Sequence, residues 1–227
     1  LKDRPFKAVQ TGGPSGGCLP ESGLDLPVDY ERLSEAGSMM GSGGMIVMDD
    51  RTCMVDIARY FLAFLVEESC GKCVPCREGL KQMLAIFEGI LAGRGKPGDI
   101  ARIEALAEGM KLGSLCDLGR SAVNPVLSTL QYFRSEYEAH IADKHCPAGM
   151  CRELTLYEIK ADVCNGCHLC VKTCPTRAIT GQPKKEHVIA QESCISCGAC
   201  FDVCPIDAIR FLPKVQRKEG GHAHAHG

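Results

Sequence analysis

Residues 164–179, CNGCHLCVKTCPTRAI, and residues 194–209, CISCGACFDVCPIDAI, repeat one pattern: C-x-x-C-x-x-C-x-x-x-C-P followed by Ala-Ile. A [4Fe–4S] cubane needs four thiolates around a compact core, and two-residue gaps let one tight loop supply three of them. The fourth cysteine of each run, followed by proline, reaches across to the other run's cluster. The expected quartets are therefore Cys164, Cys167, Cys170 and Cys204, and Cys194, Cys197, Cys200 and Cys174. A zinc ribbon has no use for eight cysteines in two overlapping quartets. Residues 161–214 should form one small domain around two clusters.

Cysteine supplies 16 of the 227 residues, and most fall into C-x-x-C spacing. A disulfide framework would not require that spacing and would usually accompany an export signal. The opening LKDRPFKAVQ has no apolar core of the kind such signals carry. It also begins with Leu1, which reads as a fragment or a processed chain. No apolar run reaches the length of a membrane span, so none is expected. The 26 basic and 28 acidic residues leave no basic field for nucleic acid. A cytoplasmic setting, and an anaerobic one, suits oxygen-labile clusters. The tail 215–227, ending HAHAHG, is low in complexity and is expected to be disordered.

A third cysteine run lies upstream. ESCGKCVPCREG (68–79) places Cys70, Cys73 and Cys76 at two-residue intervals. The surrounding stretch, 51–143, has helical periodicity. Val55, Ala58, Phe61, Leu62 and Leu65 form one apolar face, and Leu80, Met83, Leu84, Phe87, Ile90 and Leu91 another. Asp99 is placed to cap a third helix, and Ser121 to open a fourth with Pro125 in its first turn. Four such helices make a small bundle. The nearest unassigned cysteine downstream, Cys116 in GSLCDLG, sits between the third and fourth helices. Two intervening helices return the chain to the same end, which makes Cys116 the expected fourth ligand of a third [4Fe–4S] cluster. A structural zinc is the other reading of that spacing. Residues 1–50 read as strands and turns, with FKAVQ and MIVMDD as strands. The run GGPSGG lacks the spacing of a phosphate-cradling loop and reads as a structural turn.

Four cysteines remain, Cys18, Cys53, Cys146 and Cys151. Cys146 and Cys151 lie in the linker 144–160 with four residues between them, and His140 lies on the last turns of the fourth helix. Cys53, His140, Cys146 and Cys151 would suit a tetrahedral zinc at that hinge, with His145 as an alternative to His140. The plainer reading is a set of ordinary buried thiols. Cys18 is expected to be a small buried residue, and His168 a hydrogen-bond donor or surface residue.

GGPSGG, GSGGMIVMDD, ESCGKCVPCREG and LCDLG together resemble the family of NADH-binding flavoprotein subunits of respiratory complex I. They also resemble its relatives in NAD(P)-linked hydrogenases and formate dehydrogenases. The resemblance implies Cys70, Cys73, Cys76 and Cys116 as ligands, matching the spacing. It implies an α+β multidomain chain: a partial β-grasp segment over 1–50, a helical iron–sulfur bundle over 51–143, and the ferredoxin-like domain over 161–214. The family's FMN- and NAD(P)-binding domain would precede this segment, so the segment alone is not expected to be catalytic. The appended two-cluster domain resembles the beta-type subunits of multimeric [FeFe]-hydrogenases, a group that includes the electron-bifurcating kind. That implies as partners a catalytic subunit, a thioredoxin-like [2Fe–2S] subunit and ferredoxin. The expected function is relay of single electrons through three [4Fe–4S] clusters in a soluble NAD(P)-dependent oxidoreductase. The alternatives are a formate dehydrogenase subunit, a stand-alone ferredoxin-type carrier, and an assembly module.

Overall fold

The computed structural model describes residues 4–214, so the His-rich tail expected over 215–227 lies outside the described residues. The chain divides into two compact units, residues 1–143 and residues 144–227.

The first unit opens with a sheet of order β2-β1-β3, formed by β1 (Phe6–Thr11), β2 (Cys18–Pro20) and β3 (Met45–Asp49), all antiparallel. The Gly-Gly-Pro-Ser-Gly-Gly turn between β1 and β2 is structural for a steric reason. Gly12 has φ 81°, and a Cβ there or at Gly16 would collide with Met39 or the Thr11 carbonyl. Between β2 and β3 the chain forms a helix that the strand-and-turn reading did not contain, α1 (Tyr30–Glu35). Asp29 caps it by accepting from the Arg32 amide at 2.7 Å. Six residues with only Leu33 buried are too few to display a period.

The helices follow as α2 (Met54–Glu68), α3 (Val74–Leu91), α4 (Asp99–Gly113), α5 (Asp117–Ser121) and α6 (Asn124–Ile141). The α2 face is buried as its periodicity requires, at Val55, Ala58, Phe61, Leu62 and Leu65. On α3, Leu80, Met83, Phe87 and Ile90 are buried, and α3 packs against α2 and α4. Gly79 permits the approach to α4, since a Cβ there would stand 2.6 Å from Met110 Sδ. Gly98, left-handed at φ 90°, takes the cap position of α4 that the sequence suggested for Asp99. The Asp99 carboxylate instead accepts from the Lys96 amide at 2.8 Å, inside the turn. Likewise Ser121 closes the short α5, and the long last helix starts three residues later, with Pro125 in its first turn. That helix is interrupted at Phe133 (φ −131°, ψ 31°). Its buried Tyr137 meets Phe87 edge-on at 5.8 Å, and its hydroxyl is 2.6 Å from that of Thr129. Burial drives the Tyr137 phenol far above the usual range.

Polar contacts join this sheet to its helices. Lys7 Nζ is 2.6 Å from Glu136 Oε1, while Glu136 Oε2 accepts from the Met54 amide at 3.1 Å. The Cys18 amide donates to Ser128 Oγ at 2.9 Å, and the Tyr132 hydroxyl donates to the Ala36 carbonyl at 3.0 Å.

The second unit holds β4 (Thr155–Ile159), α7 (Leu169–Thr173), β5 (Ile179–Gly181), β6 (His187–Ile189), α8 (Ala199–Asp202) and β7 (Ile209–Pro213). Strands β4 and β7 pair antiparallel from Thr155↔Pro213 to Ile159↔Ile209, and β5 pairs with β6. The sequence repeat is also a backbone repeat. Left-handed residues recur in register: Gly166 with Ser196, His168 with Gly198, Arg177 with Asp207. Tyr157, Ile179, Ile189 and Ile209 form the core together with Cys170 and Cys200. Among the described residues, no helix is long and apolar enough to cross a membrane.

Truncating Phe87 to alanine should lower the stability of the first unit by about 3–5 kcal/mol, because it removes a fully buried ring and its Tyr137 contact. Leu112→Ala, at a position 81% exposed, should change it by less than ~0.5 kcal/mol. Denaturant titrations of both variants compare the two effects, and equal losses would contradict this packing.

Candidate metal centres

The two loops of the second unit build two small cavities. One is lined by Cys164, Cys167 and Cys170 from the first repeat and by Cys204 from the second. The other is lined by Cys194, Cys197 and Cys200 and by Cys174. The structure thus brings together the crossed quartets that the spacing called for. The crossing residues are aimed by matching turns: the Ala178 amide donates to Cys174 Sγ, and the Ala208 amide to Cys204 Sγ, each at 3.3 Å. Such N–H groups favour a thiolate, and hence a bound metal, over a thiol.

The environment divides the cysteines of each quartet. The deepest, Cys170 and Cys200, lie in the core, and burial pushes both thiols up, that of Cys200 to about 12 with added repulsion from Cys194 and Cys197. At Cys174 partial burial acts upward but is outweighed. The Thr176 hydroxyl and the amides of Ala178, Thr176 and Ile179 bring the thiol below its ordinary value. The Ser196 amide donates to Cys194 Sγ at 3.4 Å. Thr176, Ser196 and His187 were not among the residues singled out from spacing. His187 comes to the first quartet from a strand, and no local pattern marks it.

The first unit gathers its own four cysteines at one end of its helices. Cys73 caps α3, Cys76 lies in its first turn, and Cys116 caps α5. The Gly113–Gly119 turn is pressed against this helix start. A Cβ at Gly113 would meet Pro75 at 2.9 Å, and one at Gly119 would meet Cys76 Cβ at 3.1 Å. Cys76 is buried, which raises its thiol, and repulsion from Cys73, Cys116 and Cys70 raises it further. The Ser69 hydroxyl, 3.3 Å away, pulls in the opposite direction. The Cys73 thiol is lowered, chiefly by the amide of Leu115 and then by that of Cys76. Amides at a helix start are suited to a group of net negative charge.

Cys53 and His140 meet in the core of the first unit, with Cys53 Sγ 3.4 Å from His140 Nε2. His140 Nδ1 is 2.6 Å from the Glu136 carbonyl, which can only accept. The ring proton therefore sits on Nδ1, and Nε2 presents its lone pair toward the Cys53 sulfur. In the second unit Cys146 and Cys151 are both buried, in a turn closed by the Gly149 amide to the Cys146 carbonyl. His145 stacks on Phe211 at 6.5 Å. Cys18 is buried, and burial raises its thiol to about 12, which suits a packing role.

Comparison with known proteins agrees with this geometry. Residues 56–140 match the NADH-ubiquinone oxidoreductase-F iron-sulfur binding region, and residues 157–211 match the 4Fe-4S dicluster domain. Both matches are to 4Fe–4S-binding domains. The NADP-reducing hydrogenase subunit HndC of Solidesulfovibrio fructosivorans is 50% identical over 80% of this chain and 37% of its own length. An NADH-quinone oxidoreductase subunit of the F type from Rhizobium meliloti is 43% identical over 65% of this chain and 35% of its own. A solved NAD+-reducing [NiFe]-hydrogenase in the H2-reduced state superposes with a TM-score of 0.56 at 36% identity, covering 61% of this chain and 24% of that one. The chain spans about a third of the length of the curated relatives it matches. It is a homologue of oxidoreductase subunits and carries their iron–sulfur part.

In metal-free protein, alkylation should discriminate between neighbouring cysteines. Cys73, with its lowered thiol, should react at lower pH than Cys76, whose thiol is raised. Cys18 should resist until the chain unfolds. Peptide mapping after timed iodoacetamide treatment reads the order, and reaction of Cys76 ahead of Cys73 would contradict these environments.

Proposed function

We propose that this chain is the electron-relay portion of an NAD(P)-linked oxidoreductase subunit, carrying single electrons through three [4Fe–4S] clusters. The observation that carries this reading is the pair of crossed cavities, each lined by three cysteines of one repeat and the fourth of the other. Cys164, Cys167, Cys170 and Cys204 would hold one cluster, and Cys194, Cys197, Cys200 and Cys174 the second. Cys70, Cys73, Cys76 and Cys116 would hold the third. The clusters supply reversible one-electron chemistry. The chain bounds them with sulfur ligands, keeps Cys76, Cys170 and Cys200 away from water, and directs N–H groups at the sulfurs. Burial and those donors set how readily each cluster takes an electron.

In this reading residues 1–50 are part of a β-grasp domain, residues 51–143 are the four-helix iron–sulfur bundle, and residues 161–214 are the ferredoxin-like domain. The hydrogenase relatives support a hydrogenase complex as the setting. FMN and NAD(P) would be bound by a further domain of the subunit. A catalytic subunit, a thioredoxin-like [2Fe–2S] subunit and ferredoxin would be the partners. We assign a structural zinc to the Cys53–His140 pair. Two ligand atoms on one tetrahedral zinc lie roughly 3.5 Å apart given bonds of about 2.0–2.3 Å. The 3.4 Å between Cys53 and His140 fits that spacing, and so does the fixed tautomer of His140.

Metal analysis of anaerobically purified protein, with EPR after dithionite reduction, tests both assignments. About 12 iron and one zinc per chain are expected. Cys116→Ala should remove about four iron and keep the zinc, whereas His140→Ala should remove the zinc and keep the iron. About eight iron with extra zinc in the unaltered chain would make the ESCGKCVPCREG site structural, and the relay through the helices would fall.

A further inference from the structure

The backbone repeat surrounds its two cavities with different side chains. His187 lies on β6 and is 2% exposed, with Nδ1 3.9 Å from Cys164 Sγ. Its other nitrogen, Nε2, is 2.8 Å from Nδ1 of His168. The imidazole is seated against Gly181, its partner in the β5–β6 register, where a Cβ would stand 2.6 Å from the His187 ring. His168 itself adopts φ 69° at the position where the second repeat has Gly198 at φ 77°. A left-handed non-glycine residue is costly, and here it carries the side chain that reaches His187. Around the second quartet the cavity lining includes Thr176 and Tyr157, while His168 and His187 line the first.

The chemistry of the groups fixes the direction of these hydrogen bonds. A thiolate bound to iron can only accept, so the proton facing Cys164 must sit on His187 Nδ1. A neutral imidazole then accepts at Nε2, and His168 donates its Nδ1–H there. A donor to a cluster sulfur favours the form with the extra negative charge, which is the reduced one. We propose that His187 makes the cluster of the Cys164 quartet easier to reduce by donating to Cys164 Sγ, with His168 as the positioning residue that holds its tautomer. This rests on the reading that the quartet binds a cubane.

The test is an EPR-monitored redox titration of the full chain, with iron counted in every sample. His187→Phe keeps ring volume and removes the donor. It should retain the iron and lower the midpoint potential of one cluster, leaving the others in place. The expected shift is about tenfold in that cluster's one-electron reduction equilibrium, roughly 59 mV. His168→Gly restores the residue type of the second repeat at a left-handed position, so its backbone is unstrained. It should move the same cluster in the same direction, by less. Unchanged midpoints in both variants at full iron content would overturn the proposal. So would unchanged midpoints in His168→Gly combined with loss of iron in His187→Phe, which would make His187 a packing residue. An unaltered chain without cubane signals from this domain would instead overturn the cluster assignment, and the donor role with it.

Discussion

The second unit is organised around an exchange of cysteines: the fourth cysteine of each repeat lines the cavity built by the other repeat. Cys204 closes the cavity built by Cys164, Cys167 and Cys170, and Cys174 closes the one built by Cys194, Cys197 and Cys200. Neither half can form its site alone. The apolar core is small, and two of its members, Cys170 and Cys200, are cysteines of the quartets. Domains of this size seldom stand on such a core without a staple. The buried Cys200 thiol, raised to about 12, would stay protonated at neutral pH without metal. In the proposed cluster-binding reading, ligation by Cys200 would release that proton.

The first unit meets a similar ligand demand with a different architecture. Its core is built by long helices, with Leu62, Leu80, Met83, Phe87 and Ile90 fully buried. The cysteines occupy helix starts at one end: Cys73 and Cys76 at α3, Cys116 at α5. Glu136 ties the sheet to this frame by facing Lys7 and the Met54 amide at once. In the proposed reading the third cluster would therefore be held by the starts of packed helices.

The legible part of this chain is the part governed by short-range geometry. Cysteine spacing within a tight loop limits which sulfurs can meet, so the cysteines that line each cavity could be grouped from residues 164–209 alone. Cys116 was accessible because two helices of countable length return the chain to its starting end. Boundaries set by single contacts were not. Gly98 rather than Asp99 caps α4 because the turn needs a left-handed residue, and Asp99 is used to close that turn on Lys96. The helix α1 is held by Asp29 and one buried leucine, too little for a pattern. The donors around the sulfurs were hidden for another reason. Ser69 and Thr176 neighbour cysteines but have no fixed offset, and His187 arrives 23 residues after Cys164 through a strand pairing.

The repeat also shows which features can distinguish one cluster from the other. Arg177 and Asp207 both hold positive φ, an unfavourable state for non-glycine residues, and each thereby points the next amide at a crossing cysteine. Because the strain and the bond occur in both halves at the same 3.3 Å, they act equally on both sites. Backbone donors of this kind can stabilise the pair of clusters but cannot set one against the other. Among the features that differ between the two cavities are Thr176 opposite Ile206, His168 opposite Gly198, Ser196 opposite Gly166 with its amide on Cys194 Sγ, and His187 beside Cys164. The backbone that places the crossing cysteines is thus the same in both halves, while the side chains lining the two cavities are not.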